Sequence, residues 1–206
     1  MRRQYITPGY TQFMPTFVSR AGLKLDHALT QFNIDVTGFT CADFGCNTGG
    51  FVDCLLSRNA TKVFAIDTGY GVLDWKLRND PRVIVMERTN AMHVKLPEKM
   101  DLISIDVAWT RQKTILPSAI ANLKPNGMIV TLIKPHYQAA LSQLRKGILL
   151  PELIENVLQE TAVEIQASGL QIISQTQSPI TGAKGNVEFL AHLKLRTQDF
   201  SHENSS

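Results

Sequence analysis

The chain has little cysteine, and what it has is not spaced to bind anything. Cys41, Cys46 and Cys54 are odd in number and form no CxxC pair. That argues against a disulfide framework and a thiolate zinc site, and the three are expected to be buried or semi-buried thiols in a reducing compartment. His27, His93, His136, His192 and His202 show no metal-ligand spacing; they are read as surface or satisfied core residues, and no metal is expected. No apolar run approaches the ~18 residues of a membrane span. One of the longest, 128–133, is broken by Thr131 and suits a buried strand. No apolar stretch follows Arg2 and Arg3, so the N-terminus does not read as a signal peptide. A cytoplasmic protein without a membrane partner is expected. Repeats and low-complexity linkers are also missing. With 44% hydrophobic and 19% charged residues, the 206-residue chain reads as one globular domain with tails, not as a disordered or fibrous protein.

Acidic residues are missing from two stretches. Residues 1–24 hold Arg2, Arg3, Arg20 and Lys24, interleaved with Tyr5, Tyr10, Phe13 and Phe17. Residues 107–151 hold Arg111, Lys113, Lys124, Lys134, Arg145 and Lys146. The next stretch, to 183, reverses this, with Glu152, Glu155, Glu160 and Glu164 and no Lys or Arg. One basic and one acidic face would suit a polyanionic partner held on one side.

Hydrophobic spacing organises the rest. Residues 1–18, with Pro8, Gly9 and Pro15, read as an irregular arm. Ser19 is placed as the N-cap of a helix over 19–32, with Ala21, Leu25, Ala28, Leu29 and Phe32 at helical spacing. Strands are expected at 40–44, 62–66, 83–87, 101–106 and 128–133, with helices over 50–58 and 112–123 between them. The segment Lys124-Pro125-Asn126-Gly127 reads as a turn. Pro151 opens a helix to Ser168 with Gly169 at its C′ position, and two strands, 170–176 and 187–195, close the chain as an antiparallel hairpin. Strands alternating with helices argue an open α/β sheet. Residues 198–206 read as a disordered tail.

The run Asp43-Phe44-Gly45-Cys46-Asn47-Thr48-Gly49-Gly50-Phe51 follows the first strand and opens a helix, where α/β sheets bind ligands. Phe51 would line the pocket. Asp67 ends the second strand, placed to accept both ribose hydroxyls of a nucleoside. A dinucleotide fits poorly, because a G-x-G-x-x-G loop from Gly45 needs glycine where Asn47 stands. An adenosyl ligand without phosphates, such as S-adenosylmethionine, fits better. Asn90 follows the third strand and could bond the adenine edge; Asp106 ends the fourth, beside the substrate.

Several runs together resemble a family. Ser19-Arg20-Ala21-Gly22-Leu23-Lys24-Leu25, the loop 43–51 with Asp53-Cys54-Leu55-Leu56, the run 67–78, and Met86-Glu87-Arg88-Thr89-Asn90-Ala91 are similar to segments of the TlyA (hemolysin A) group of FtsJ-like RNA methyltransferases. So are Ile105-Asp106-Val107, Leu132-Ile133-Lys134-Pro135 and 178–189. The resemblance covers roughly residues 16–195, in order. It implies an α/β, Rossmann-like S-adenosylmethionine-dependent methyltransferase fold, with a seven-stranded, mostly parallel sheet, a terminal antiparallel hairpin and helices on both faces. It assigns residues 19–197 to the methyltransferase domain. It implies 2′-O-methylation of ribosomal RNA, with RNA or a ribosomal subunit as partner. It also implies a catalytic tetrad on Lys24, Asp106, Lys134 and Glu188. The cofactor set falls on Asp43, Gly45, Cys46, Thr48, Gly49, Phe51, Asp67, Asn90 and Asp106. The N-terminal S4-type RNA-binding domain usual in the family is expected to be missing here.

The chemistry is consistent with that assignment. A ribose 2′-hydroxyl must lose its proton as it attacks a sulfonium methyl, and a lysine can take it only if a neighbouring cation favours its neutral form. Lys134 is assigned as base, with Lys24 as the second cation orienting the hydroxyl. Asp106 and Glu188 would keep the two ammonium groups placed. The chain departs from the family pattern beside these residues. Val107-Ala108-Trp109 stands where Val-Ser-Phe is usual, and His136-Tyr137-Gln138 where Gln-Phe-Glu is usual. The alternatives are a non-catalytic RNA- or ribosome-binding protein of the same fold, a methyltransferase with another acceptor, and a dinucleotide oxidoreductase.

Overall fold

Each parallel strand ends next to a residue the sequence marks for chemistry, and strand register brings those ends together. The computed structural model describes residues 16–196. In chain order the elements are α1 (Ala21–Gln31), β1 (Thr40–Phe44), α2 (Gly50–Ser57), β2 (Lys62–Ile66), α3 (Trp75–Arg78), β3 (Val83–Met86), β4 (Met100–Ile105) and α4 (Gln112–Asn122). They continue with β5 (Leu123–Ile133), α5 (Pro135–Gln138), β6 (Leu144–Arg145), β7 (Ile148–Leu149), α6 (Pro151–Ala167), β8 (Leu170–Gln177) and β9 (Phe189–Leu195). The main sheet has seven strands in the order β3-β2-β1-β4-β5-β9-β8. The first five are parallel, and β9 runs antiparallel to both β5 and β8.

The central strands are apolar on both faces because helices cover both. Leu25 and Leu29 of α1 and Val52 and Leu55 of α2 pack with Val63, Leu102 and Val130 on one side. Ile115 and Leu116 of α4 and Leu158 and Ile165 of α6 pack with Phe44, Ile66, Ile103 and Ile129 on the other.

Register then builds the site. Phe44 pairs with Ile66 and with Ile105, so Gly45, Asp67 and Asp106 meet at the carboxyl ends of β1, β2 and β4. Ile133 pairs with Phe189, so Lys134, just past β5, lies beside Glu188, just before β9. β9 enters from the site end because it is antiparallel. That is how a residue 164 positions from Lys24 comes to touch it.

Three sequence readings change. Arg20, not Ser19, is the N-cap of α1 and makes no side-chain cap bond. The Ser19 hydroxyl instead lies against Gly50, where a Cβ would collide with it. Residues 124–127 are not a turn between elements: β5 begins at Leu123, paired with Met100, and these residues fill the irregularity before Met128 pairs with Leu102. The closing strands are antiparallel neighbours, as expected, joined by the 178–188 loop. Two short helices, α3 and α5, and a separate β6–β7 hairpin add to the expected elements. Residues 1–15 of the expected arm and the 198–206 tail lie outside the described residues, while Val18 donates its amide to the Asp53 carboxylate at 2.9 Å. No described helix is long and apolar enough to cross a membrane.

Candidate active site

Gly45 turns the chain at φ +87°, and a Cβ there would stand 2.7 Å from the Asp106 carbonyl. Only glycine permits that approach. Asn47 adopts φ +46°, the conformation a second glycine would have taken, and its amide donates to Asp67 Oδ2 at 2.8 Å. The Gly69 amide donates to Asp67 Oδ1 at 2.7 Å. Asp67 is thereby fixed with lone pairs to spare, and the Asn47 backbone N–H, already given to Asp67, is not available to a pyrophosphate.

Two cavities flank Asp106. One, of about 490 Å³, is lined by Gly45, Asn47, Asp67, Thr68, Asn90, Asp106 and Trp109, among others. The other, of about 280 Å³, is lined by Lys24, Asp43, Gly45, Cys46, Thr48, Phe51, Asp106, Lys134, His136, Tyr137, Gly182 and Glu188, among others. Gly49 lines neither; it caps α2 at φ +99° and packs against Leu73 and Leu77. Asn90 forms a local turn, its Oδ1 accepting from the Met92 amide at 3.0 Å. All three cysteines are buried free thiols, and burial pushes Cys41 up to about 12.

Asp43 is 1% exposed and accepts a 2.7 Å bond from Ser104 Oγ. Burial, aided by the negative Asp106 and Asp67, pushes its carboxyl up to about 8 despite the Ser104 bond. The folded chain therefore holds one more proton than the unfolded chain between about pH 4 and pH 8. Stability from this group is full below pH 4 and is lost as pH rises toward 8. In melting scans of the ligand-free protein, Asp43→Asn should flatten the wild-type decline between pH 5 and 8. Parallel curves would contradict the shift.

The four predicted catalytic residues form two ion pairs around the smaller cavity. Lys24 Nζ meets Glu188 Oε2 at 2.5 Å, with the residues 6% and 3% exposed. Lys134 Nζ meets Asp106 Oδ1 at 2.6 Å and donates to the Val107 carbonyl at 3.1 Å. Gly182 faces Glu188 Oε1 so closely that any Cβ would overlap the carboxylate. Spacing alone does not single out Gly182. Gly182→Ala should displace Glu188 and lower activity far more than its cost in stability, about 1–3 kcal/mol for overpacking. Steady-state rates beside a denaturation curve would check this; wild-type activity would contradict it.

The site also holds residues that sequence spacing does not mark. His136, by spacing a surface or satisfied residue, is 8% exposed, lines the smaller cavity, and its Nδ1 has no partner among the described residues. Burial first, and the Lys134 ammonium second, hold its imidazole down at about 4, so it is neutral near pH 7. Away from the two cavities, in β9 opposite Val130, His192 is likewise buried, with Nε2 unpartnered among the described residues. Gln112, 1% exposed, accepts from Thr131 Oγ1 at 2.8 Å, and its backbone amide donates to Gln138 Oε1 at 3.1 Å. That network ties α4, β5 and α5 together around Lys134. Glu87 holds the 71–73 loop: its carboxylate accepts from the Gly71 and Val72 amides and from Arg78, at 2.9, 3.0 and 2.5 Å. The Gly71 bond foremost, with Arg78, holds its carboxyl down at about 2. Trp109, 84% exposed, packs against Tyr137 with ring centres 4.9 Å apart, beside the cleft.

The sequence model for FtsJ-like methyltransferases matches residues 17–195. Hemolysin A of Brachyspira hyodysenteriae is 40% identical over 182 residues, covering 85% of this chain and 76% of that protein. The 16S/23S rRNA (cytidine-2′-O)-methyltransferase TlyA of Mycobacterium tuberculosis is 38% identical over 187 residues, covering 88% and 69%. A solved structure from Streptococcus thermophilus, provisionally assigned as a hemolysin, superposes with a TM-score of 0.85 at 37% identity, covering 88% of this chain and 68% of that one.

Proposed function

Because the chain belongs to the FtsJ-like methyltransferase family, in its TlyA (hemolysin A) group, we propose that it methylates a ribose 2′-hydroxyl of RNA, using S-adenosylmethionine, with ribosomal RNA as the target. The residues present fit that cofactor. Asp67 stands in the larger cavity, where a carboxylate accepts ribose hydroxyls. Asn90 lines the same cavity with an amide suited to an adenine edge. Asp43, Gly45, Cys46, Thr48 and Phe51 would line the methionine part, beside Asp106, with Gly49 turning the chain into α2 behind them. When bound, S-adenosylmethionine supplies a sulfonium methyl ready for in-line attack.

The chain's own residues do the rest. Asp106 lines both cavities and grips Lys134, so Lys134 is held from their junction into the smaller cavity. That placement is the observation that carries the proposal. In it, Lys134, having first released its own proton to solvent, takes the proton of the hydroxyl as the oxygen attacks and ends as the ammonium that Asp106 holds. Lys24, held by Glu188, orients the hydroxyl and offsets its developing negative charge. Gly182 leaves room for Glu188 to do this. Much of the acceleration comes from holding oxygen and methyl in line. The Trp109–Tyr137 pair offers flat faces on which a base can stack.

Labelled S-adenosylmethionine incubated with total RNA and with separated ribosomal subunits tests the proposal. Label is expected in ribosomal RNA. Cofactor binding without transfer to any RNA would contradict it.

A further inference from the structure

We propose that the β6–β7 hairpin, with Lys184, is a phosphate-binding prong that docks the RNA backbone beside the smaller cavity, which would take the acceptor hydroxyl (the acceptor cavity). This role rests on the RNA-methylating reading and adds where the rest of the substrate lies.

The hairpin stands apart from the main sheet, with Leu144 paired to Leu149 and Arg145 to Ile148. Its two-residue loop, Lys146-Gly147, has φ of +53° and +82°. Hairpin loops of this kind favour Asn, Asp or Gly at the first position, and a lysine is unusual there. The 178–188 loop repeats the arrangement, with Lys184 and Gly185 at φ +58° and +82°. The two loops are joined through buried Asn186, which accepts from the Leu149 amide at 3.2 Å and donates to the Gly147 carbonyl at 3.0 Å. Lys184 Nζ reaches over Gly147, within 3.1 Å of where a Cβ would stand. Two lysine-bearing tips are thus held side by side on a fixed base.

That base belongs to the active site. Gly182 and Glu188, on the same loop, line the acceptor cavity. Arg20 donates to the Thr181 carbonyl at 3.0 Å, tying α1 to the loop as well. Phosphates placed on the prong would therefore have a set position relative to Lys24 and Lys134.

Charge pairing points the same way. Arg145, Lys146 and Lys184 are exposed, and no ion pair among the described residues includes them. Elsewhere Lys62, Lys113 and Lys124 hold Glu98, Glu164 and Asp101, while the exposed Arg88, Lys95 and Lys194 are, like the prong, in no ion pair among the described residues; what sets the prong's three cations apart is their fixed attachment to the loop of Gly182 and Glu188. None of these ion pairs joins the hairpin to Glu152 or Glu155 of the adjoining α6. The prong's cations displace no carboxylate among the described residues when they meet a phosphate.

The test is the triple variant Arg145→Gln, Lys146→Asn, Lys184→Asn. It removes charge and puts asparagine, which tolerates left-handed backbone, at both tips. Binding of ribosomal RNA is measured against salt concentration, beside S-adenosylmethionine affinity and melting temperature as checks on folding. With three phosphates no longer neutralised, the slope of log affinity against log salt should become about 2–3 less steep, at roughly 0.7–0.9 per phosphate. Methyl transfer should show a raised KM and an unchanged kcat. An unchanged slope and affinity, with wild-type protein still methylating RNA, overturns the prong alone, whether the hairpin then serves a protein partner or none. Wild-type protein that neither binds nor methylates RNA overturns the prong and the underlying reading together.

Discussion

Lys134→Ala should lower methyl transfer by about 10²–10⁴-fold, the range a positioned general base contributes, with S-adenosylmethionine binding intact. Lys134 touches Asp106 and the Val107 carbonyl and lines the smaller cavity, not the larger one that would take the adenosine. Its loss should therefore appear in the chemical step. Lys134→Arg separates proton transfer from charge. An arginine can still pair with Asp106, but it does not release a proton in proteins, so it should be about as inactive as alanine. Single-turnover rates on cofactor-saturated enzyme would read this. Near wild-type transfer by the arginine variant would move the base elsewhere and leave Lys134 as a positioning charge.

Glu188→Ala should carry the largest cost in stability, about 3–5 kcal/mol, because it strands a buried ammonium. Lys24 is 6% exposed and Glu188 is its only ion-pair partner among the described residues. In a domain of this size that cost lowers the melting temperature by about 6–20 °C, at 2–4 °C per kcal/mol. The double variant Lys24→Met, Glu188→Leu removes both charges and should recover most of the stability while remaining inactive. A Glu188→Ala melt close to wild type would mean that water or another group reaches Lys24.

What is legible in the sequence follows from how far each signal reaches along the chain. β1, β2 and β4 carry apolar runs because both faces are covered, and the Gly45 to Gly50 loop announces itself by composition. Pro151 and Gly169 bracket the long helix α6, and it ends where those residues put it. Two- and four-residue elements such as β6, β7, α3 and α5 are too short to show a period, so the sequence does not reveal them. Residues 124–127 look like a turn by composition, yet pairing of Leu123 with Met100 draws them into β5. Tertiary pairing overrides local preference there. The tetrad residues are legible through family resemblance. What brings them together is register, Ile133 with Phe189 and Phe44 with Ile105, which no local pattern records. His136 shows the opposite limit: an isolated histidine looks ordinary in sequence, and only its burial beside Lys134 marks it.

The most direct test of the central claim is the chemical identity of the product. RNA exposed to the enzyme and labelled S-adenosylmethionine is digested to nucleosides and separated, with Lys134→Ala in parallel. The account predicts label on the ribose 2′-oxygen, abolished in the variant. Label on a base, or label on the ribose that survives the loss of Lys134, would contradict it.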